Sequence, residues 1–132
     1  MKSISARITK ALNVGSRIVC ADNSGASIIE IIAVKGYKGV KSRAPRCGVG
    51  SLIVCAVKDG DIKIKHEIVQ AVIIRQKKEY RRPSGMRIKF EDNAAILVNE
   101  KGEPRGTRIK GVVAKEAVER FSTIGKIATT VI

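Results

Sequence analysis

A chain of 132 residues with 44% hydrophobic residues is ordinary for one globular domain and too apolar for a disordered segment. Its formal charge of +14 and pI of about 10.2 point to a polyanionic partner. Three cysteines without a C-x-x-C pair and a single histidine argue against a disulfide framework and against a zinc site, so no metal or cofactor is expected.

In chain order, residues 1–14 read as an N-terminal arm. Ile4, Ile8 and Leu12 recur at four-residue intervals, a helical hint interrupted by Asn13 and Gly15. The start MKSISARITKAL lacks the continuous apolar core of a signal peptide. No run in the chain approaches the roughly 18 apolar residues that cross a bilayer. The expectation is a cytosolic protein with no membrane partner.

Five β-branched runs follow: RIVCA (17–21), SIIEIIAV (27–34), SLIVCAV (51–57), IVQAVII (68–74) and AAILV (94–98). Each has strand length and is bounded by Gly, Asn, Asp or Pro. The turn ADNSGA and the connection KDGDIKIKH are too short for a crossover helix, so the sheet should be largely antiparallel. Several runs lack clean alternation, which suits a small closed barrel with helix or partner packed outside. Cys20 and Cys55 read as small core residues. Cys47, in the basic loop SRAPRCGVG, reads as a passive loop cysteine, and His66, in KIKHEIV, as a strand-surface residue.

The fourth run continues into RQKKEY, reverses at RRPSG and returns through MRIKF. Pro83 presets φ and Gly85 can adopt φ > 0, which makes a protruding basic hairpin. FEDN (90–93) then turns the chain toward AAILV. Near the C-terminus Ala114, Ala117, Val118 and Phe121 fall at i, i+3, i+4 and i+7, a short amphipathic helix. The following IGKIATTVI should pack on the barrel or meet a partner. The whole chain, 1–132, reads as one domain, with 111–132 a C-terminal helical region.

The charge is concentrated. Lys35 to Arg46 carries five basic residues and no acid, Arg75 to Lys89 seven and one, and Lys101 to Lys110 four and one, which accounts for the whole excess. The candidate RNA-binding residues are therefore Lys35, Lys38, Lys41, Arg43, Arg46, Arg75, Lys77, Lys78, Arg81, Arg82, Arg87, Lys89, Lys101, Arg105, Arg108 and Lys110. With only Tyr37, Tyr80, Phe90 and Phe121 as aromatics, there is no stacking platform, and Lys and Arg contacts to phosphate should dominate. Tyr37 and Tyr80 can either stack a base or pack at a hairpin root. The helix residues Lys115, Glu116, Glu119 and Arg120 balance to zero and are the candidate protein-partner surface.

Catalytic equipment is sparse. Neither a G-x-x-x-x-G-K-[ST] nor a G-x-G-x-x-G loop is present, and Glu91, Asp92 and His66 are the only groups an RNA-processing enzyme could use. A free RNA-binding regulator or RNA chaperone on a small barrel is the alternative of another class.

The run AVIIRQKKEYRRPSGMRIKFEDNAAIL, Ala71 to Leu97, resembles the signature of the universal L-fourteen family of large-subunit ribosomal proteins. The matching places are Ala71 to Ile74, Ser84 and Gly85, Phe90 and Asn93. The likeness continues in CADNSGA (20–26), GVG (48–50) and PRGTRI (104–109), and VKGYKGVKSRAP and VAKEAVERF are similar to archaeal and eukaryotic members. Two departures stand out. Ser51 replaces a usual Asp, which would relax a loop-to-strand turn, and Gly111, Val112 and Val113 replace Gly-Pro-Val, which removes a rigid lead-in to the C-terminal helix.

The resemblance implies a non-enzymatic constituent of the large ribosomal subunit in the cytoplasm. The fold it implies is a closed five-stranded β-barrel with a protruding hairpin and short C-terminal helices. It also implies seating on large-subunit rRNA at the intersubunit face, contacts with neighbouring large-subunit proteins and a bridge to small-subunit rRNA. A subunit anti-association factor is expected to dock near the C-terminal region.

Overall fold

The structure, a computed structural model, describes residues 3–39 and 41–132; residues 1 and 2 of the expected arm and Val40 of the first basic segment lie outside the described residues. Five strands, Arg17–Cys20, Ala26–Val34, Leu52–Gly60, Ile68–Arg75 and Ala94–Val98, close into a barrel. Each coincides with one of the expected apolar runs. The third extends past Val57 because Asp59 and Gly60 continue the ladder opposite Ile28 and Ala26.

Four seams are antiparallel, two of them across the short connections ADNSGA and KDGDIKIKH. The fifth is parallel: Val19 lies opposite Ala94 and Cys20 opposite Ala95. The barrel is therefore mixed rather than antiparallel throughout, and the reason is one of parity. Strands that alternate in direction over four successive steps leave the first and fifth pointing the same way, so an odd-numbered closure must contain a parallel pair.

The missing alternation in the later runs is now explained. Along Ile68–Arg75 and Ala94–Val98, Ala71, Ile73, Ala95 and Leu97 point into the barrel with Ile29, Ile31, Ile53 and Cys55. Val72, Ile74, Ala94, Ile96 and Val98 point outward into a second apolar layer with Tyr80, Ile109, Val113, Ala117 and Ile124. Each fully buried Val, Leu or Ile side chain among them contributes about 1.5–3 kcal/mol to stability relative to exposure. The C-terminal region supplies much of that second layer. Its helix Lys115–Arg120 ends at Phe121, whose φ of −125° and ψ of 84° leave the helical region, and a second turn spans Ser122–Gly125. The region is not wholly helical, since Val112–Val113 pairs in parallel with Thr130–Val131.

The N-terminal arm is extended, and the helical hint is overturned. Burial alternates, with Ile4, Ala6 and Ile8 turned inward and Ser3, Ser5 and Arg7 outward, the period of a strand. The Arg7 N–H donates to the Arg81 carbonyl at 2.9 Å, and Leu12–Asn13 pairs with Arg46–Cys47. The arm thus runs from the first basic loop to the hairpin. That hairpin stands outside the barrel as a short ladder of Tyr80–Arg81 and Arg87–Ile88. Its tip closes through Arg82 N–H to Met86 O at 2.9 Å, with Gly85 at φ 87°. His66 is not on a strand: it occupies the turn before Ile68 at φ 69°.

Candidate nucleic-acid interface

Of the sixteen candidate RNA-contacting side chains, all but two are on exposed residues. The exceptions, Arg75 and Arg82, are turned inward. Arg75 is 7% exposed; it grips Asp92 with both sides of its guanidinium, Nε to Oδ1 at 2.8 Å and Nη2 to Oδ2 at 3.2 Å. Its Nη1 also donates to the carbonyls of Lys110 at 3.0 Å and Val112 at 2.8 Å. A Cβ on Gly111 would lie 2.6 Å from that Nη1, so only glycine lets the backbone come so close. Arg75 is therefore a cross-tie between barrel and outer segment rather than a phosphate contact, because four of its five N–H donors are already engaged and the side chain is buried.

Arg82 is held by the C-terminal helix. Glu116 Oε1 accepts from Tyr80 Oη at 2.7 Å and from Arg82 Nε at 2.9 Å, and Arg82 Nη2 donates to the Ile132 carbonyl at 2.7 Å. Burial, and then the adjacent Glu116 carboxylate, push the Tyr80 phenol well above its ordinary range. Tyr80 packs at the hairpin root instead of offering a face to a base. Glu116 is 1% exposed, so it is not part of an outer partner surface, contrary to expectation. Helical spacing put it outside, but the hairpin folds over that side of the helix. Lys115 is exposed and pairs with the half-buried Glu119 at 3.9 Å, while Arg120, also half-buried, donates to the Gly50 carbonyl.

The loops that present the exposed cations are braced by uncharged side chains that composition did not single out. Gln76 is fully buried: its Oε1 accepts from Val49 N–H at 2.9 Å, and its Nε2 donates to Thr9 O at 3.0 Å and Lys78 O at 2.9 Å. One amide thus ties the arm, the 48–52 turn and the hairpin base. Asn23 Oδ1 accepts from Thr107 and Arg108 N–H, and Nδ2 donates to Thr107 Oγ1, fixing the loop that carries Arg105 and Arg108. Tyr37 Oη donates to Ala44 O at 3.3 Å across the first basic loop. The signal available for Asn23 was its place in an Asx/Gly turn; for Gln76, inside RQKKEY, there was none.

The departures from the family pattern are absorbed locally. Ser51 Oγ accepts from Gly48 N–H at 3.2 Å while Ser51 N–H donates to Gly48 O, so the turn stays closed with serine. Val112 enters the small parallel ladder. Cys47, expected as a passive loop cysteine, ends the short strand Arg46–Cys47 and is fully buried beside Leu12, and burial pushes its thiol up to about 12.

The second and third basic segments converge. A depression of about 940 Å³ is lined by Lys77, Lys89, Phe90, Glu91 and the Arg75–Asp92 pair. It shares Gly111 and Val112 with a neighbouring one of about 410 Å³, lined by Arg108, Lys110, Thr129 and Thr130. Of the groups an enzyme could have used, Asp92 is spent on Arg75. Among the described residues no cluster of His, Cys, Asp or Glu is arranged to hold a metal.

A family model described as ribosomal protein L14p/L23e matches residues 11–132. Curated relatives include large ribosomal subunit protein uL14 of Methanocorpusculum labreanum, 52% identical over all 132 residues of both chains. Those of Methanocella arvoryzae and Methanoregula boonei are each 46% identical over the same full length. A match of this extent, carried by a closed five-stranded barrel with braced basic loops, decides the kinship: the chain belongs to the ribosomal protein L14p/L23e family.

Proposed function

We propose that this chain is a structural, non-catalytic constituent of the cytoplasmic large ribosomal subunit that grips large-subunit rRNA through its basic loops and hairpin. The supporting observation is the contrast between its two kinds of cation. Arg75 and Arg82 are used internally, to lock the 110–112 segment to the barrel and the hairpin to the C-terminal region, and the remaining candidate cations are exposed. Preorganised Lys and Arg lose less freedom on meeting phosphate, which favours persistent seating on folded RNA. The same surface suits the intersubunit face and a bridge to small-subunit rRNA. The exposed Lys115 and its partly exposed partner Glu119 suit contacts with neighbouring ribosomal proteins or a subunit anti-association factor.

Crosslinking the tagged protein to RNA in cells and sequencing the fragments tests this reading. Stoichiometric recovery of one large-subunit rRNA region, with the protein sedimenting in large subunits, is the expected result. Scattered messenger fragments and no sedimentation with subunits would instead identify a free RNA-binding regulator.

A further inference from the structure

We infer that the furrow formed by the two adjoining depressions seats a single-stranded RNA segment, one unstacked base against Phe90 and the flanking phosphates on Lys77 and Lys89 at one end and Arg108 and Lys110 at the other. This rests on the RNA-binding reading above and narrows it to one strand geometry and one place.

Charge comes first. Lys77, Lys89, Arg108 and Lys110 are all exposed, and among the described residues none of their side chains is in a salt bridge. Other exposed cations of the same segments are engaged, Arg87 with Glu79 and Arg105 with Glu67. Inside the furrow Arg75 and Asp92 neutralise each other, which leaves Glu91 as the one exposed acid among the lining residues. The net field is strongly attractive to phosphate.

Shape comes second. The larger depression, about 940 Å³, is of the size that small organic ligands occupy. Phe90 is half-buried; its backbone N–H donates to Gln76 O at 3.0 Å, and its ring packs against the outer apolar layer. Arg75 fixes the floor by binding the carbonyls of Lys110 and Val112. A double helix keeps its bases stacked inside a convex, phosphate-lined surface and cannot bring one to a ring within a recess. A single strand or loop can splay a base outward while its backbone follows the cations.

The test uses the full chain, a labelled single-stranded RNA dodecamer carrying 5-iodouridine, and a duplex of the same length. Two double variants of exposed residues are compared, Lys89→Gln with Arg108→Gln in the furrow and Lys38→Gln with Lys41→Gln in the first basic loop. The furrow pair is expected to reduce single-strand affinity about tenfold and the salt slope by about two, with little effect on the duplex. Photocrosslinks should map to residues 89–91. Phe90→Leu, which keeps an apolar side chain, should abolish the crosslink while the circular dichroism spectrum is retained. If single-strand binding persists but the crosslinks fall elsewhere, or both double variants weaken strand and duplex alike, the furrow assignment is overturned. If the unmodified chain binds neither RNA yet still sediments with large subunits, the furrow assignment alone is overturned; if it also fails to sediment with them, the broader reading falls with it.

Discussion

Tyr80 and Glu116, thirty-six positions apart, share a hydrogen bond of 2.7 Å in a site closed to solvent, and this bond fastens the hairpin to the C-terminal helix. Glu116→Ala would strip the acceptor from both Tyr80 Oη and Arg82 Nε, so stability should fall by about 2–4 kcal/mol in urea titrations. Arg81→Ala, at an exposed neighbour, should stay within about 0.5 kcal/mol of wild type. Equal losses would mean that the Glu116 contact contributes no more than a surface residue.

Arg75 and Lys77 are two positions apart and should behave oppositely. Arg75→Gln breaks the cross-tie to Asp92 and the 110–112 segment; Asp92 remains partly solvated, so a loss of about 2–3 kcal/mol is expected, and the unpaired Asp92 carboxylate weakens RNA binding only secondarily, since Arg75 itself contributes no phosphate contact to the slope of affinity against salt. Lys77→Gln should leave the urea midpoint in place and reduce that slope by about one. Parallel denaturation and salt titrations read both.

Gly48 is where the arm is clamped. A Cβ there would approach Ile8 Cγ2 and Gln76 Oε1 to 2.7 Å and Thr9 O to 2.9 Å. Gly48→Ala should therefore lift the arm, and tryptic cleavage after the exposed Arg7 and Lys10 should quicken severalfold while the barrel stays intact. Mass spectrometry of a digestion time course is the measurement. An unchanged rate at both sites would show that the arm is not held through this contact.

The three cysteines make stability fall at alkaline pH. Burial pushes each thiol from 9.0 to about 12, with nearby Asp22 adding to the effect at Cys20 and Lys10 opposing it at Cys47. The folded chain thus retains protons that the unfolded chain releases as pH passes 9. Their contribution is intact below that value and is lost between pH 9 and about 12. The urea midpoint should decline across that window, less steeply in Cys55→Ala. A thiol reagent at pH 8 should label all three only after unfolding.

Much of the barrel was legible because β-branched runs bounded by turn residues carry their own signal, and connection length settled two of the five seams. The parallel seam followed from strand parity, which a run-by-run reading of Arg17–Cys20 and Ala94–Val98 does not count. The arm was misread because Ile4, Ile8 and Leu12 fit a helix, although Ile4, Ala6 and Ile8 also fit the period of two that the hairpin and Gly48 turn select. At the interface, segment charge located the exposed loops. It missed that Arg75, Arg82 and Glu116 face inward, since their acceptors and donors, the 110–112 carbonyls and Tyr80, lie far away in sequence. Gln76 carried no signal because an amide amid cations looks like any other surface residue.

The parallel seam also sets a clock for synthesis. Val19 cannot meet Ala94 until nearly three-quarters of the chain has been made, so the first strand waits with one edge open while the others emerge. Contacts so distant in sequence slow folding, because the entropy of closing the loop is lost before any pairing offsets it. Until that moment the nascent chain is a strongly cationic ribbon beside the RNA of the ribosome translating it, and a bound chaperone or polyanion that leaves only when the last barrel strand docks would shield it from premature capture.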